Sequence, residues 1–172
     1  MNKKSQKTQL KIEQAMFELL KEKPYAELTV AEIAQRAMVS RMAFYRNFGG
    51  KDAILTHFLQ QEFAAFIQDI KEHDLNSLEQ QLTAYLSHFK NHTDLMRVLL
   101  KAGFEGELLN QQTAYLHRLL IEYHPELDLS DYAISYQSGG IYMLLVWWVN
   151  DDFTAPVELL VDYARRHIML NK

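Results

Sequence analysis

The chain has 172 residues, 48% of them hydrophobic, which suits one domain, or a small one joined to a larger one, with a sizeable core. Three prolines and six glycines are too few for an all-β protein, and the lack of cysteine excludes a disulfide framework, a thiolate metal site and a cysteine nucleophile. The net charge of −4 is uneven: residues 1–58 carry ten Lys/Arg against six acids, the remainder eight against sixteen. A basic head (+4) on an acidic body (−8) is the footprint of a nucleic-acid reader with a second module.

The basic start, Met-Asn-Lys-Lys-Ser-Gln-Lys, leads into no apolar segment and does not read as a signal peptide. The first helical stripe is Ile12, Met16, Leu19 and Leu20, ending before Pro24. Thr29 then reads as an N-cap with Glu32 at the capping-box position, opening a helix whose apolar face is Val30, Ile33, Ala34 and Ala37. Ser40 caps a short third helix with Phe44, Tyr45 and Phe48, stopped by Gly49-Gly50.

A long helix is predicted from Lys51 to His73, with Ile54, Leu55, Phe58, Phe63, Phe66, Ile67 and Ile70 on one side. Helical patterning resumes over Leu78–Asn91 and around Leu95–Ala102, with Gly103 and Gly106 as turn residues. It continues over Leu108–Tyr123, from Ser130 to Val149, and from Pro156 to Leu170. This gives an all-α fold of about nine helices. The longest apolar run, Ile141–Val149, falls far short of the roughly 20 residues that span a bilayer, so a soluble cytoplasmic chain is expected.

The informative stretch is residues 29–48. Two short helices joined by a tight turn, the second mixing aromatic, Arg and Asn side chains, suit a helix-turn-helix that packs at its base and offers polar groups to a major groove. Arg41, Arg46 and Lys51 are placed to neutralise phosphates or bond guanine, and the Tyr45 hydroxyl to reach a phosphate. From about Thr8 to Phe58 the chain resembles the DNA-binding head of the TetR family of bacterial transcriptional regulators. Thr29, Ile33, Ala34, Ala37, Val39, Ser40, Arg41, Phe44, Tyr45, Phe48, Lys51 and Asp52 carry that resemblance in order and at the family's spacing. The turn position that is normally glycine is Met38; a positive φ there costs on the order of 1 kcal/mol.

The resemblance implies a helix-turn-helix DNA-binding domain over 1–50 and a regulatory and dimerisation domain over 51–172. It also implies a homodimer on a palindromic operator, most simply a repressor released by a small effector. Expected DNA-binding residues are Thr29, Ser40, Arg41, Met42, Ala43, Phe44, Tyr45, Arg46, Asn47 and Lys51, with Arg41, Met42, Ala43 and Asn47 at base edges. A single two-turn recognition helix reads too few base pairs, which independently calls for a dimer. The Ile141–Val149 run and a last helix bearing Leu159, Leu160, Tyr163 and Ile168 supply its surface, and Trp147 and Trp148, about 100° apart, cannot both face one core.

A small apolar effector is expected between the middle helices, with Phe63, Phe66, Tyr85, Phe89, Phe104, Tyr115, Tyr136 and Trp147 as lining, and Met96 and Tyr142 nearby. No enzyme signature occurs: there is no GxSxG and no phosphate-cradling glycine loop. His88 and His92 stand one helical turn apart, but no carboxylate lies between them, so neither a metal nor a cofactor is expected. Two alternatives are a helical scaffold whose head no longer reads DNA, and an activator without a small effector.

Overall fold

The computed structural model describes residues 3–127 and 129–167, and those residues form nine α-helices, two 3-10 turns and no strand. It divides into two compact units, one ending at Gln61 and the other starting at Glu62. The head contains α1 (Lys3–Glu22), a 3-10 turn (Tyr25–Glu27), α2 (Val30–Arg36), α3 (Arg41–Asn47) and the start of α4 (Lys51–Glu72). The body contains the rest of α4, α5 (Leu78–Asn91), α6 (Thr93–Lys101), α7 (Glu105–Tyr123), α8 (Asp131–Asn150) and α9 (Val157–His167).

The head extends eleven residues past the break expected at position 50. Its reason is packing: Phe58 of α4 meets Phe17 of α1 edge-on at 4.7 Å, and His57 meets Phe48 at 5.5 Å. Ile12, Met16, Ile33 and Phe44 are fully buried alongside Ile54 and Leu55. The glycine pair therefore ends α3 without ending the domain.

The expected caps form. Thr29 Oγ1 accepts the Glu32 amide while the Glu32 carboxylate accepts the Thr29 amide, a complete capping box at the start of α2. Ser40 Oγ accepts the Ala43 amide at 3.1 Å and caps α3. Between them, α2 closes in a Schellman motif: the Val39 amide donates to Ala34 and the Met38 amide to Gln35. Met38 is its left-handed residue, at φ 54°.

In the body, Gly103 takes the same left-handed place after α6, at φ 74°. Gly106, expected in that turn, instead lies in the first turn of α7, because α7 begins at Glu105 rather than at Leu108. Trp148 is fully buried, packs on Phe153 at 5.0 Å and donates from Nε1 to the Ala155 carbonyl. Val161 and Ala164 of α9 are buried, whereas Ile168 and the stretch to Leu170 lie outside the described residues.

Met38 is 89% exposed and gains no packing to offset its conformation. Met38→Gly is expected to raise the head's stability by about 1 kcal/mol and Met38→Val to lower it, since a β-branched residue fits φ > 0 worst. Thermal unfolding followed by circular dichroism checks both signs.

Candidate functional site

α3 is only seven residues long, and two aromatic side chains hold it. Phe44 is fully buried and Phe48 nearly so, which leaves Arg41, Met42, Tyr45 and Arg46 on the exposed side and Ala43 and Asn47 partly covered. Phe44 is thus a packing residue and not the DNA contact expected of it. Tyr45 is 56% exposed, with its ring edge-on to Phe44 at 5.5 Å, so its phenol stands at the surface. The Arg46 Nε donates to the Met42 carbonyl at 3.2 Å, one of five guanidinium donors. Thr29 and Ser40 use their hydroxyls as caps and are exposed at the two helix starts.

Asn47 is more constrained than its sequence suggested. Its Nδ2 donates to the Ala43 carbonyl at 2.7 Å, and its Oδ1 accepts from Ser5 of α1 at 2.7 Å. Both ends of the amide are engaged inside the head, so it helps fix α3 and keeps one N–H and one lone pair beyond these bonds. Lys51 is tied in further. Its ammonium donates to the Tyr25 and Leu28 carbonyls at 2.8 and 3.0 Å and lies 4.3 Å from the centre of the Tyr25 ring. Tyr25 in turn donates to Asp52, and burial followed by that bond holds its phenol above the usual range. Sequence reasoning placed Lys51 against phosphate; here it closes the 3-10 turn against the start of α4.

Other head charges are also paired. Arg36 holds Glu22 through two bonds of 2.9 Å, tying α2 to α1. Lys23 meets Glu32 at 2.5 Å, and that bond, with those from Thr29, holds the Glu32 carboxyl down at about 2. The buried Glu13 contacts His57 at 2.6 Å, an internal hydrogen bond the sequence did not reveal. The unevenness in charge therefore overstates the basicity available to a ligand; Arg41 and Arg46 are the exposed cations of α3 itself.

In the body, Phe63, Phe66, Tyr85, Phe89 and Tyr115 form one buried aromatic cluster, with ring centres 4.9–6.5 Å apart. Beside it, Leu82, Tyr85, Gln112, Tyr115, Leu116 and Ile141 are among the residues lining a cavity of about 30 Å³. Tyr85 donates to Gln112 Oε1 at 2.5 Å, and Gln112 Nε2 donates to the Ser138 carbonyl and hydroxyl. Among the described residues, the buried hydroxyls of Tyr115 and Tyr142 find no hydrogen-bond partner. Burial raises the Tyr85, Tyr115 and Tyr142 phenols, so each remains a neutral donor.

Of the eight expected lining residues, only Tyr85 and Tyr115 border this cavity. Phe63, Phe66 and Phe89 pack in the aromatic cluster beside it, Phe104 is half-buried before α7, and Tyr136 and Trp147 are 76% and 51% exposed on the outer side of α8.

Lys51→Met keeps the aliphatic stem but leaves the Tyr25 and Leu28 carbonyls without their donor, so we expect a loss of about 1–3 kcal/mol in head stability. Urea unfolding of the full chain checks this; a variant as stable as the parent would return Lys51 to a purely phosphate-facing role.

Comparison with known proteins bears on the head first. Residues 12–58 match the sequence profile of bacterial regulatory proteins of the tetR family. The uncharacterized HTH-type transcriptional regulator YxbF of Bacillus subtilis (strain 168) is 25% identical over 161 residues, 87% of this chain. The chain spans 41% of that curated relative's length. Among solved structures, a TetR transcriptional regulator from Streptococcus agalactiae superposes with a TM-score of 0.72 at 24% identity, covering 97% of this chain and 96% of its own. The regulator FadR from Bacillus subtilis, solved with stearoyl-CoA, gives 0.59 at 18% identity, covering 92% and 96%. The structural likeness extends the fold through the body, while the matched profile covers the motif that carries Thr29 to Phe48. Residues 12–58 thus carry a head similar to that of the tetR family of bacterial regulatory proteins, and the body shares the fold of these solved regulators.

Proposed function

We propose that the protein is a homodimeric transcriptional regulator that reads a palindromic operator through α3. The observation that carries this reading is the division of α3 itself: Phe44 and Phe48 are buried while Arg41, Met42, Tyr45 and Arg46 face outward. That is the layout a helix needs to pack at its base and enter a major groove. Arg41 suits guanine, Met42 a thymine methyl, and Tyr45 with Arg46 the phosphates. In a duplex-binding titration, Arg41→Ala should cost about 10-fold for the operator and relax preference at one position, while Tyr45→Phe weakens all sequences alike. Affinity should fall steeply with salt, and a head that serves only as a scaffold would show no affinity to lose.

The dimer reading rests on α8. Tyr132, Tyr136, Met143 and Trp147 are more than half exposed and fall within about 60° of one another around the helix axis. Gly139 lies in the middle of that stripe, and a Cβ there would meet nothing within 4 Å. It leaves a notch that a second backbone can approach closely. Leu159 and Tyr163 expose a similar surface on the neighbouring α9. Trp147→Glu is expected to give a monomer by light scattering at about 10 μM and to lose cooperative operator binding, because only paired heads match a two-fold site.

Repression relieved by a small effector is the simplest mode of control. The unpartnered Tyr115 and Tyr142 hydroxyls and the apolar cavity beside Tyr85 favour it. Because about 30 Å³ is far below the few hundred that drug-sized ligands occupy, an effector must part the aromatic cluster, as a long acyl chain of the kind bound by the FadR relative would. The same small volume favours a second reading, an activator that takes no effector. A thermal-shift panel that includes acyl-CoA thioesters separates the two.

A further inference from the structure

We propose that Glu62, His88 and His92 form a binding site for one divalent transition-metal ion of the zinc type. The pair of histidines on α5 offers two imidazoles one turn apart, and the fold adds the third donor from the body portion of α4. The ligand atoms of the three residues all lie within 4.8 Å of one another. Glu62 Oε2 and His88 Nε2 are 3.0 Å apart, and the two imidazole rings have centres 4.5 Å apart. A tetrahedral ion with bonds of about 2.0–2.1 Å holds its donors roughly 3.4 Å apart. The Glu62–His88 pair therefore needs almost no movement, and His92 a side-chain adjustment of about 1 Å.

The hydrogen bonding also fits a ligand set. His92 Nδ1 donates to the His88 carbonyl at 2.8 Å, so its Nε2 presents a lone pair. A metal-bound histidine that gives its other N–H to a backbone carbonyl is the usual outer support of such sites. The His88–Glu62 bond contains one shared proton. When the ion takes its place between Nε2 and the carboxylate, that proton passes to His88 Nδ1 or to solvent, and both donors bind as the neutral imidazole and the anion.

A hydrogen bond accounts for Glu62 and His88, and the His88 carbonyl holds the His92 ring, but neither contact requires all three donor atoms to converge. His57, His73 and His117 each face a single carboxylate, and among the described residues no other group of three such donors meets. Two nitrogens and one oxygen suit zinc, cobalt or nickel over calcium or magnesium, which want oxygen throughout. Glu62 and His88 are partly covered and His92 is exposed, which leaves an entry path and an open position for water.

The test uses the untagged, metal-stripped full chain, titrated with zinc against a chromophoric chelator and with cobalt(II) followed by its visible d–d bands. We expect one ion per protomer at a Kd of about 1 μM or tighter. His92→Ala and Glu62→Gln should each weaken binding by at least about 10-fold with the circular dichroism spectrum unchanged, and His73→Ala should not weaken it. Because His92 is at the surface, its replacement keeps the test informative even where Glu62→Gln disturbs packing. Absence of stoichiometric binding at about 100 μM zinc overturns the proposal, as does full affinity in the His88→Ala/His92→Ala double variant.

Discussion

A helix of two turns cannot hold itself together in water, and this limit shapes the whole head. Nucleation costs more than seven residues return, so α3 exists only because other elements hold it. Phe44 and Phe48 anchor its inner side, Ser40 caps its start, and the Asn47 amide links its last turn to Ser5. Each of these supports commits a side chain of the motif to holding α3. The exposed surface is thereby reduced to a few side chains, and the rest of the motif sets their direction. Lys51 extends the same logic one element further, because its ammonium collects the carbonyls of the 3-10 turn that leads into the motif.

The body solves a different problem. Its aromatic cluster and buried α8 side chains form a dense interior, into which a short polar chain is set from Tyr85 through Gln112 to Ser138 and Thr113. A second such chain joins His124 to Gln81 and on to the Leu75 carbonyl. Within an apolar interior these bonds are strong because no water competes, and every unmatched group is costly. Among the described residues, the hydroxyls of Tyr115 and Tyr142 are the buried side-chain groups left without a hydrogen-bond partner.

Much of the head was legible because its signals are local. A capping box is read from Thr29 and Glu32 alone, and Met38 occupies a motif position whose backbone demands a left-handed residue whatever stands there. What failed to show was direction and partnership across the chain. α8 is apolar on most of its circumference, so periodicity gave no reason to place Trp147 outside and Trp148 inside until their neighbours were known. Asn47 and Lys51 look like free polar groups in sequence, and only the third dimension supplies Ser5 and the Tyr25 carbonyl as partners. Glu62 stands 26 residues from His88, and no spacing rule joins a residue of α4 to a histidine of α5.

The Gln112 bonds carry one more consequence, for the way this core can change over evolutionary time. Leucines around the cavity are interchangeable with other apolar side chains of similar volume at modest cost. Gln112 is not, because its amide is indexed to one position along α8, the Ser138 carbonyl and hydroxyl. Sliding α8 by a turn strands that amide, so the two helices have one permitted register out of several that apolar packing alone would tolerate. Substitutions can therefore drift through the surrounding shell and reshape the cavity while α8 keeps the same rotational setting, and with it the same side chains on its outer face.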